Sequence, residues 1–354
     1  MQNIQDGGPR VRAATWSTRE FDSWMDLLGI SRCVQVDNID GCGRGLRATR
    51  DLLPDEVALK VPSELLLSDQ TVLHHSNYED MQEGMSWSSR LALGLLNEKS
   101  RGDRSVHRDY IGMLPAPPRV LSRWKEDELV ELQNRTLEGE TDMIYFWRHE
   151  NWEDTITSAE RVLTGSEFDS FRQRISQQDF LDAHDLVCSR AIKLETARGV
   201  ERFLVPVFDL ANHSPRGGRY AMDEDGNVCL ITGIEVTRGA EVCLDYGGRT
   251  NDQFLLHYGH LSPACLRTNA TRVDGSQHHI SWLDLGEPLH KNVREAAEAL
   301  LQTMPTSVEE DLNLLEEEAG EQALALQYRI GKKQLLRAIA GKQEAFDWFL
   351  EGLF

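Results

Sequence analysis

The 354-residue sequence contains no hydrophobic run that approaches the length of a membrane-spanning helix, about 18 apolar residues. Its six cysteines are scattered, and none forms a C-x-x-C pair or a Cys/His cluster with zinc spacing. The sequence therefore predicts no membrane helix and no metal site. Scattered cysteines in a long chain are typical of reduced thiols, so we expect an intracellular protein.

Positive charge is also scarce, because 38 Lys and Arg face 58 Asp and Glu and leave a net charge of −20. Such a surface repels phosphate backbones and anionic lipids, so we expect neither nucleic acid nor a membrane as partner. A basic protein segment is an easier partner. With 40% hydrophobic residues and 8 Trp, the chain can build a core, which excludes a disordered protein. Its length suggests about two domains.

The chain also lacks the βαβ alternation of nucleotide-binding folds. Hydrophobic periodicity predicts strands, then a long helical stretch over about 70–186, then strands again, and helices after about residue 262. The later β character is predicted over 203–215, where a buried strand from Pro206 runs into Asn212; over 228–236; and over 241–247, where Val242, Leu244 and Tyr246 share a face.

Two familiar kinds of site lose support from their surroundings. The turn Gly41-x-Gly43-x-Gly45 is not followed by a helix, so a tight turn with positive φ explains it as well as a dinucleotide loop does. Ser189 lacks the G-x-S-x-G elbow of a hydrolase, and a helical cysteine such as Cys188 is usually a core residue.

Four blocks carry the informative pattern, and in this order they closely resemble the SET-domain methyltransferases. The blocks are Gly43-Arg44-Gly45-Leu46, the helix that ends in Ser189-Arg190-Ala191, the segment Pro206 to Ser214, and Tyr246-Gly247 with Asn251 to Gly259. Each block is weak alone, but the series is highly specific. The resemblance is to the split-SET branch, which includes methyltransferases of Rubisco lysine and actin histidine.

This resemblance implies an α+β fold, in which a SET β-fold with a long helical insert precedes a helical C-terminal domain. We expect an N-terminal tail and helix over 1–30, a SET domain over 31–261 with its insert at about 70–186, and a helical domain resembling a substrate-binding domain over 262–354. In the insert, Tyr110 to Pro115 resembles the Y-I-x-x-L-P element of this branch.

The resemblance also implies a function, S-adenosylmethionine-dependent transfer of a methyl group to a protein, with lysine as the acceptor. Transfer to histidine is one alternative, and a non-catalytic SET-like interaction module is another, although the retained Tyr246, Asn212 and His213 argue against the module. The partner would be a protein that presents a lysine or a histidine. We expect a monomer in the cytoplasm, with the nucleus and the chloroplast left open.

The same resemblance assigns roles to individual residues. It implies that Tyr246 is catalytic; that the cofactor is bound by Cys42, Gly43, Arg44, Arg190, Asn212 and His213; and that the substrate is bound by Arg190, Asp209, Tyr220, Tyr246 and Tyr258. The chain departs from the family at Ile192 and His260, where phenylalanine is common on the substrate side. The chemistry requires a neutral amine, so the site must lower the lysine pKa from about 10.4.

Overall fold

The computed structural model describes residues 17–40, 42–70, 79–82, 84–261, 270–271, 280–281 and 291–341. The tail 1–16, Gly41 and Cys265 lie outside these residues. The chain forms two compact units, and neither is a continuous range. The first comprises Met1–Pro117, Asn151–Asn212 and Gly218–Cys243, and the second comprises Pro118–Glu150, His213–Gly217 and Leu244–Phe354.

Within its described residues the first unit contains small antiparallel sheets rather than one large sheet. Its strands are β1 (Ser31–Arg32), β2 (Val34–Ile39), β3 (Gly43–Ala48), β4 (Val57–Val61), β5 (Leu67–Ser68), β6 (Ile192–Thr196), β7 (Gly199–Leu204), β8 (His213–Met222, which begins in the second unit) and β9 (Val228–Ile231). The orders are β1-β4-β9-β8, β5-β7-β6 and the hairpin β2-β3. Short β-branched runs between turn residues account for these short strands.

Helices of the predicted insert separate the early strands from the late ones. In chain order the helices of the first unit are α1 (Thr18–Leu27), α2 (Trp87–Arg101) and α3 (Arg108–Met113), and, after α4 (Glu126–Val130) and α5 (Arg135–Val162), they continue with α6 (Gly165–Arg174) and α7 (Gln177–Arg190). Capping boxes fix several starts: Ser17 with Glu20 begins α1, and Ser176 with Asp179 begins α7. Because α7 begins and ends at defined residues, Arg190 occupies its last turn.

The second unit is mostly helical. It contains α4, the first half of α5, α8 (Asn251–Tyr258), the strands β10 (Ala270–Thr271) and β11 (Ile280–Ser281), α9 (Lys291–Thr303), α10 (Val308–Leu315) and α11 (Gly320–Ile339). The sequence Ser307-x-x-Glu310 has the spacing of a capping box, and the two residues form that box at the start of α10. One buried cluster in this unit joins Leu255 and Leu256 of α8 to Ala325 and Tyr328 of α11.

Buried charges also hold α10 to α11. The carboxylate of Asp311 is fully buried and accepts bonds from Arg329 Nε at 2.9 Å and Lys333 Nζ at 2.6 Å. Burial lowers the pKa of Lys333, an effect that Asp311 opposes. A buried ion pair of this kind is costly to break, because removal of one partner leaves a charge without its counterion.

Two strand predictions are wrong. The segment 206–211 follows the end of β7 at Leu204 and forms a turn and a short 3₁₀ helix, Phe208–Leu210. Val207 has φ +68°, a conformation that β-branched residues rarely adopt, so the chain turns sharply there. Its residues are apolar because they are buried, and burial alone does not distinguish a strand from a turn.

The segment 241–247 is likewise not a regular strand. Val242 and Leu244 are buried as the alternation predicts. Instead of a continuous ladder, the segment forms isolated bridges, from Glu241 to Arg47 and from Leu244 to His213, and single backbone hydrogen bonds, from Val242 N to the Leu46 oxygen and from Gly218 N to the Cys243 oxygen, both at 2.8 Å. Alternating burial therefore predicted an extended backbone correctly and a sheet ladder incorrectly.

Candidate functional site

Arg190 and Asp209 form the centre of the candidate site in the first unit. Arg190 Nη1 donates to the Asp209 carbonyl oxygen at 2.8 Å and to its Oδ2 at 3.1 Å. The Asp209 side chain is only 3% exposed. The strained turn at Val207 and the end of α7 bring these two residues together. A buried carboxylate held by an arginine is a defined anchor rather than a surface ion pair.

Tyr110 of α3 is a further member of this cluster, and sequence reasoning did not assign it to the site. Its hydroxyl donates to Asp209 Oδ2 at 3.1 Å. Burial raises the pKa of Tyr110 well above its usual value, and the charge of Asp209 adds to the effect. The hydroxyl therefore stays protonated and acts as a donor. The resemblance of Tyr110 to Pro115 to a family element was the signal that could have identified it.

Arg44 of β3 brings a second guanidinium group into the same unit. Its Nη2 donates to the Met113 carbonyl oxygen at 2.7 Å, and its Cζ lies 5.9 Å from the centre of the Phe21 ring. Burial lowers the pKa of Arg44, the positive charge of Arg190 lowers it further, and the negative charge of Asp209 opposes the shift. Asp209 balances one of the two positive charges, and an anionic ligand would balance the other.

A small pocket lies beside this cluster, with a free volume of about 10 Å³, roughly the space of one water molecule. Its walls are apolar, from Phe21, Met113, Leu114, Pro115 and Leu210, and Arg190 and Asp209 supply its charged groups. This volume is far smaller than that of a typical small-molecule site.

Asn212 lies against the β2-β3 hairpin, also within the first unit. Its Nδ2 donates to Glu241 Oε1 at 2.8 Å, which fixes the orientation of the amide. A Cβ on Gly45 would come within 2.8 Å of Asn212 Nδ2 and 2.5 Å of Ile39 Cγ1. Only glycine at position 45 therefore allows Asn212 to approach the strand.

The two cysteines near Glu241 are not activated as nucleophiles. Burial raises the pKa of Cys42, and the negative charge of Glu241 raises it further. The same causes raise the pKa of Cys243 to about 12. Both remain thiols at neutral pH. Gly43, next to Cys42, has φ +74°, so the predicted turn with positive φ is confirmed there.

His213 organises the candidate residues of the second unit. Its Nδ1 accepts the backbone N–H of Tyr246 at 3.1 Å, and the two rings lie 5.2 Å apart. Burial lowers the pKa of His213, although Asp245 opposes the shift. At pH 7 the ring is neutral, and with Nδ1 as acceptor its proton lies on Nε2.

Tyr246 and Tyr258 form a stacked pair with ring centres 5.5 Å apart. Tyr258 ends α8, which Thr250 and Gln253 cap at its start and Gly259 ends with φ +71°. A Cβ on Gly259 would lie 2.8 Å from the Arg119 carbonyl carbon, so glycine is required there.

The start of α8 carries a buried polar group without a partner. Both polar side-chain atoms of Asn251 are buried, and neither has a hydrogen-bond partner among the described residues. The ring of His260, which stands where the family often has phenylalanine, lies 5.8 Å from Phe254 and 6.2 Å from Tyr258. His260 therefore contacts aromatic rings, although it differs from the phenylalanine that is common at this position in the family.

The sequence-predicted residues thus fall into two sets. In the first unit the structure brings Arg44, Arg190 and Asp209 together, and holds Asn212 against Gly45. Tyr220 of β8 packs its ring edge-on against Phe208, 6.0 Å away. The second unit groups His213, Tyr246 and Tyr258. Asn212 and His213 are consecutive, so one peptide bond links the two sets.

In the described part of the chain, no group of three or more His, Cys, Asp or Glu side chains could hold a metal ion. None of the described helices is both long and apolar enough to cross a membrane.

The C-terminal helices match a known family model. Residues 287–336 match the model described as Rubisco LSMT substrate-binding. This range includes α9, α10 and most of α11, within the predicted helical domain.

The fold as a whole matches solved structures of one protein. The crystal structure of the SET domain of LSMT bound to lysine and AdoHcy aligns with TM-score 0.69 and 21% identity, over 94% of this chain and 92% of that one. Rubisco LSMT bound to AdoMet aligns with TM-score 0.68, 21% identity and the same coverage. The predicted α+β SET fold with its insert and helical C-terminal part is confirmed.

Two curated proteins of similar sequence are protein methyltransferases by name. The fructose-bisphosphate aldolase-lysine N-methyltransferase of Arabidopsis thaliana is 28% identical over 69% of this chain and 52% of its own length. The actin-histidine N-methyltransferase of Drosophila melanogaster is 27% identical over 69% and 48%, respectively. The chain thus spans about half the length of these relatives. The resemblance to the SET-domain methyltransferases that the motifs indicated is confirmed.

Proposed function

We propose that this protein transfers a methyl group from S-adenosylmethionine to a lysine side chain of another protein. The observation that carries the proposal is the placement of Tyr246: His213 binds its backbone N–H, and its ring stacks on Tyr258. A tyrosine fixed in this way offers an oriented hydroxyl beside an aromatic wall. The names of the relatives and the SET fold support the same reaction.

The residues of the first unit fit the cofactor by their chemistry. When bound, S-adenosylmethionine supplies an electrophilic methyl group on a sulfonium sulfur, together with a carboxylate and an ammonium group. Arg44 and Arg190 are cations whose mutual repulsion a carboxylate relieves. Because Asn212 Nδ2 donates to Glu241, its Oδ1 is the amide acceptor that we assign to the ammonium group.

The tyrosines of the second unit suit the acceptor. A lysine must lose its proton before it can attack, and an apolar aromatic wall lowers an amine pKa by desolvation. Arg249, whose Cζ lies 5.9 Å from the Tyr258 ring, adds a positive charge that has the same effect. The Tyr246 hydroxyl then orients the neutral amine, while the neighbouring rings exclude water.

Histidine is the second candidate acceptor, and the actin-histidine N-methyltransferase of Drosophila melanogaster is the observation that favours it. Its imidazole, with an ordinary pKa of about 6.5, is already neutral at pH 7 and needs no such depression. Asp209 and Tyr220 are expected to line the target side in either case. A cytoplasmic location and a monomeric state remain predictions.

The experiment is single-turnover methylation with radiolabelled S-adenosylmethionine and cell lysate, followed by acid hydrolysis of the labelled protein. Chromatography then separates methyl-lysine from methyl-histidine. We expect labelled methyl-lysine, and we expect Tyr246→Phe to reduce the rate by about 10²–10³ with little change in cofactor affinity, because an oriented transition-state bond is lost.

Ser100→Ala is the control, because it removes an exposed hydroxyl elsewhere. Label on histidine would replace lysine as the acceptor. No label on any protein, with a folded enzyme that binds the cofactor, would favour the non-catalytic module. A Tyr246→Phe rate within twofold of wild type would show that this hydroxyl is structural.

A further inference from the structure

The middle of α5 exposes a group of large apolar side chains in the second unit. Met143 is 71% exposed, Tyr145 43%, Phe146 69% and Trp147 37%. We call these four residues the α5 aromatic surface. Met143, Phe146 and Trp147 are spaced i, i+3 and i+4, so they share one helix face.

The helix that carries this surface is anchored from its other side. Thr141 and Arg148 are buried, and Arg148 Nη1 donates to Ser122 Oγ at 3.0 Å. On the surface, the Tyr145 ring lies 4.2 Å from the His149 ring and meets Phe146 edge-on at 5.8 Å. The exposed side chains therefore stand on a fixed helix.

Exposure of this kind is uncommon on a protein surface. Single apolar side chains are scattered over most surfaces, but contiguous patches mark interaction sites. Aromatic residues and methionine are also enriched where proteins bind one another. The composition of the α5 aromatic surface thus favours a protein partner.

Charge decides which partner fits. The exposed carboxylates Asp142 and Glu150 lie one turn before and one turn after Phe146, and the chain carries a net charge of −20. A second copy would bring the same carboxylates against each other, and anionic lipids or nucleic acid would also be repelled. A cationic partner gains both ion pairs and cation–π contacts with the rings.

We propose that the α5 aromatic surface binds a segment of a partner protein in which one apolar side chain lies between two cationic side chains, each an arginine or a lysine. Asp142 and Glu150 are eight residues apart in sequence, which corresponds to about 12 Å along a helix. In an extended partner this distance corresponds to cations about four residues apart. The docking does not depend on methyl transfer, so it can be tested without cofactor.

The probe is a fluorescein-labelled, extended synthetic peptide with arginines four residues apart and a leucine midway between them. A second peptide replaces both arginines with neutral citrulline. By fluorescence anisotropy on the full chain, we expect the arginine peptide to bind at least tenfold more tightly than the citrulline peptide. Equal binding of the two peptides would overturn the proposal.

Two variants locate the binding on the protein. We expect Phe146→Ser, and separately the double change Asp142→Asn and Glu150→Gln, to weaken binding at least fivefold. Two variants serve as matched controls. Leu27→Ser removes an exposed apolar side chain from another helix, and the double change Glu317→Gln and Glu318→Gln removes two charges elsewhere. These controls should stay within twofold of wild type.

Three results would overturn the proposal. Unchanged binding by Phe146→Ser would place the peptide elsewhere. If the Glu317→Gln and Glu318→Gln control weakened binding as much as Asp142→Asn and Glu150→Gln, the peptide would be held by the overall negative charge and not by this surface. A wild-type dimer in sedimentation that Phe146→Ser converts to a monomer would identify a second copy as the occupant. Thermal unfolding checks the fold of Phe146→Ser, and Met143→Ser repeats the test at a second position.

Discussion

At the residue scale, burial sets the protonation states of the candidate site. Burial is the first cause of the raised pKa of Tyr110 and of the lowered pKa values of His213 and Arg44. The consequence, at neutral pH, is a protonated phenol at Tyr110 in the first unit and a neutral imidazole at His213 in the second. Such groups can donate and accept hydrogen bonds without acting as strong bases, which suits the alignment of an amine.

His257 on α8 yields a prediction about pH. Burial lowers its pKa from the usual 6.5 to about 4, with Arg249 as a further cause. Above pH 6.5 the ring is neutral in both states and makes no difference. As the pH falls from 6.5 to 4, the unfolded chain binds a proton that the folded protein refuses, so the folded protein loses stability, at most about 3 kcal/mol.

The measurement is urea unfolding at pH 7 and at pH 4.5 for wild type and His257→Gln. The variant should lose less stability between the two pH values than wild type does, whereas Leu27→Ser, which changes an exposed side chain without a titratable group, should behave as wild type does. The same pH dependence in wild type and His257→Gln would contradict the assignment.

At the element scale, the β2-β3 hairpin is the part of the first unit that shapes the cofactor residues. Its register pairs Asp37 with Gly45, and Gly45 faces Asn212. The hairpin therefore does more than connect strands, because its closest point to Asn212 is the position that lacks a side chain.

Gly45→Ala tests this arrangement. The added methyl group must displace Ile39 or Asn212, so we expect a loss of about 1–3 kcal/mol of stability and weaker binding of S-adenosylmethionine by calorimetry. Gly139→Ala is the matched control, because a Cβ there meets nothing within 4 Å and the helix should gain up to about 1 kcal/mol. If Gly45→Ala binds the cofactor as wild type does, the close approach has no role in the site.

The α10-α11 pair gives a second prediction at this scale. Asp311→Asn leaves Lys333 buried without its carboxylate and leaves Arg329 with Glu131 alone, so we expect a loss of about 3–5 kcal/mol in the free energy of unfolding. Glu309→Gln, which breaks an exposed pair with Arg337, should cost no more than about 1 kcal/mol. Similar losses from the two variants in urea unfolding would show that the buried network has no special weight.

At the scale of the whole molecule, the C-terminal helices share a core with parts of the chain that precede them. Tyr328 of α11 packs in one cluster with Leu121, Leu137 and Leu255. Its hydroxyl accepts from Asn134 Nδ2 at 2.6 Å and donates to Asp252 Oδ1 at 2.7 Å. The helices after residue 290 thus support α8, the helix that carries Tyr258.

A chain that ends at Leu261 should therefore be damaged. It loses Ala325 and Tyr328 from that cluster, and we expect it to lose at least about 3 kcal/mol of stability, to bind a hydrophobic dye and to unfold at lower temperature. A chain that ends at Gly341 keeps every described residue and is the control. Cooperative unfolding of the shorter chain at the wild-type temperature would contradict the shared core.

The boundaries 1–30, 31–261 and 262–354 remain predictions, but the order of elements that the sequence predicted is confirmed by the fold. Capping signals located the start of α10 at Ser307 because a cap acts over three residues. The strand predictions at 206–211 and 241–247 failed because hydrophobic alternation reports burial, and a strand also requires a paired neighbour.

What the sequence alone determined is therefore local or serial: helix caps, turns with positive φ, and the order of motifs that resembles the SET-domain methyltransferases. Only the tertiary structure decided that Tyr110 donates to Asp209, 99 residues away, and that Arg329 and Lys333 both donate hydrogen bonds to the buried carboxylate of Asp311. The physical reason is the distance along the sequence over which each interaction acts. Backbone conformation and caps depend on neighbours a few residues apart, whereas a buried hydrogen bond or ion pair depends on the path of the whole chain.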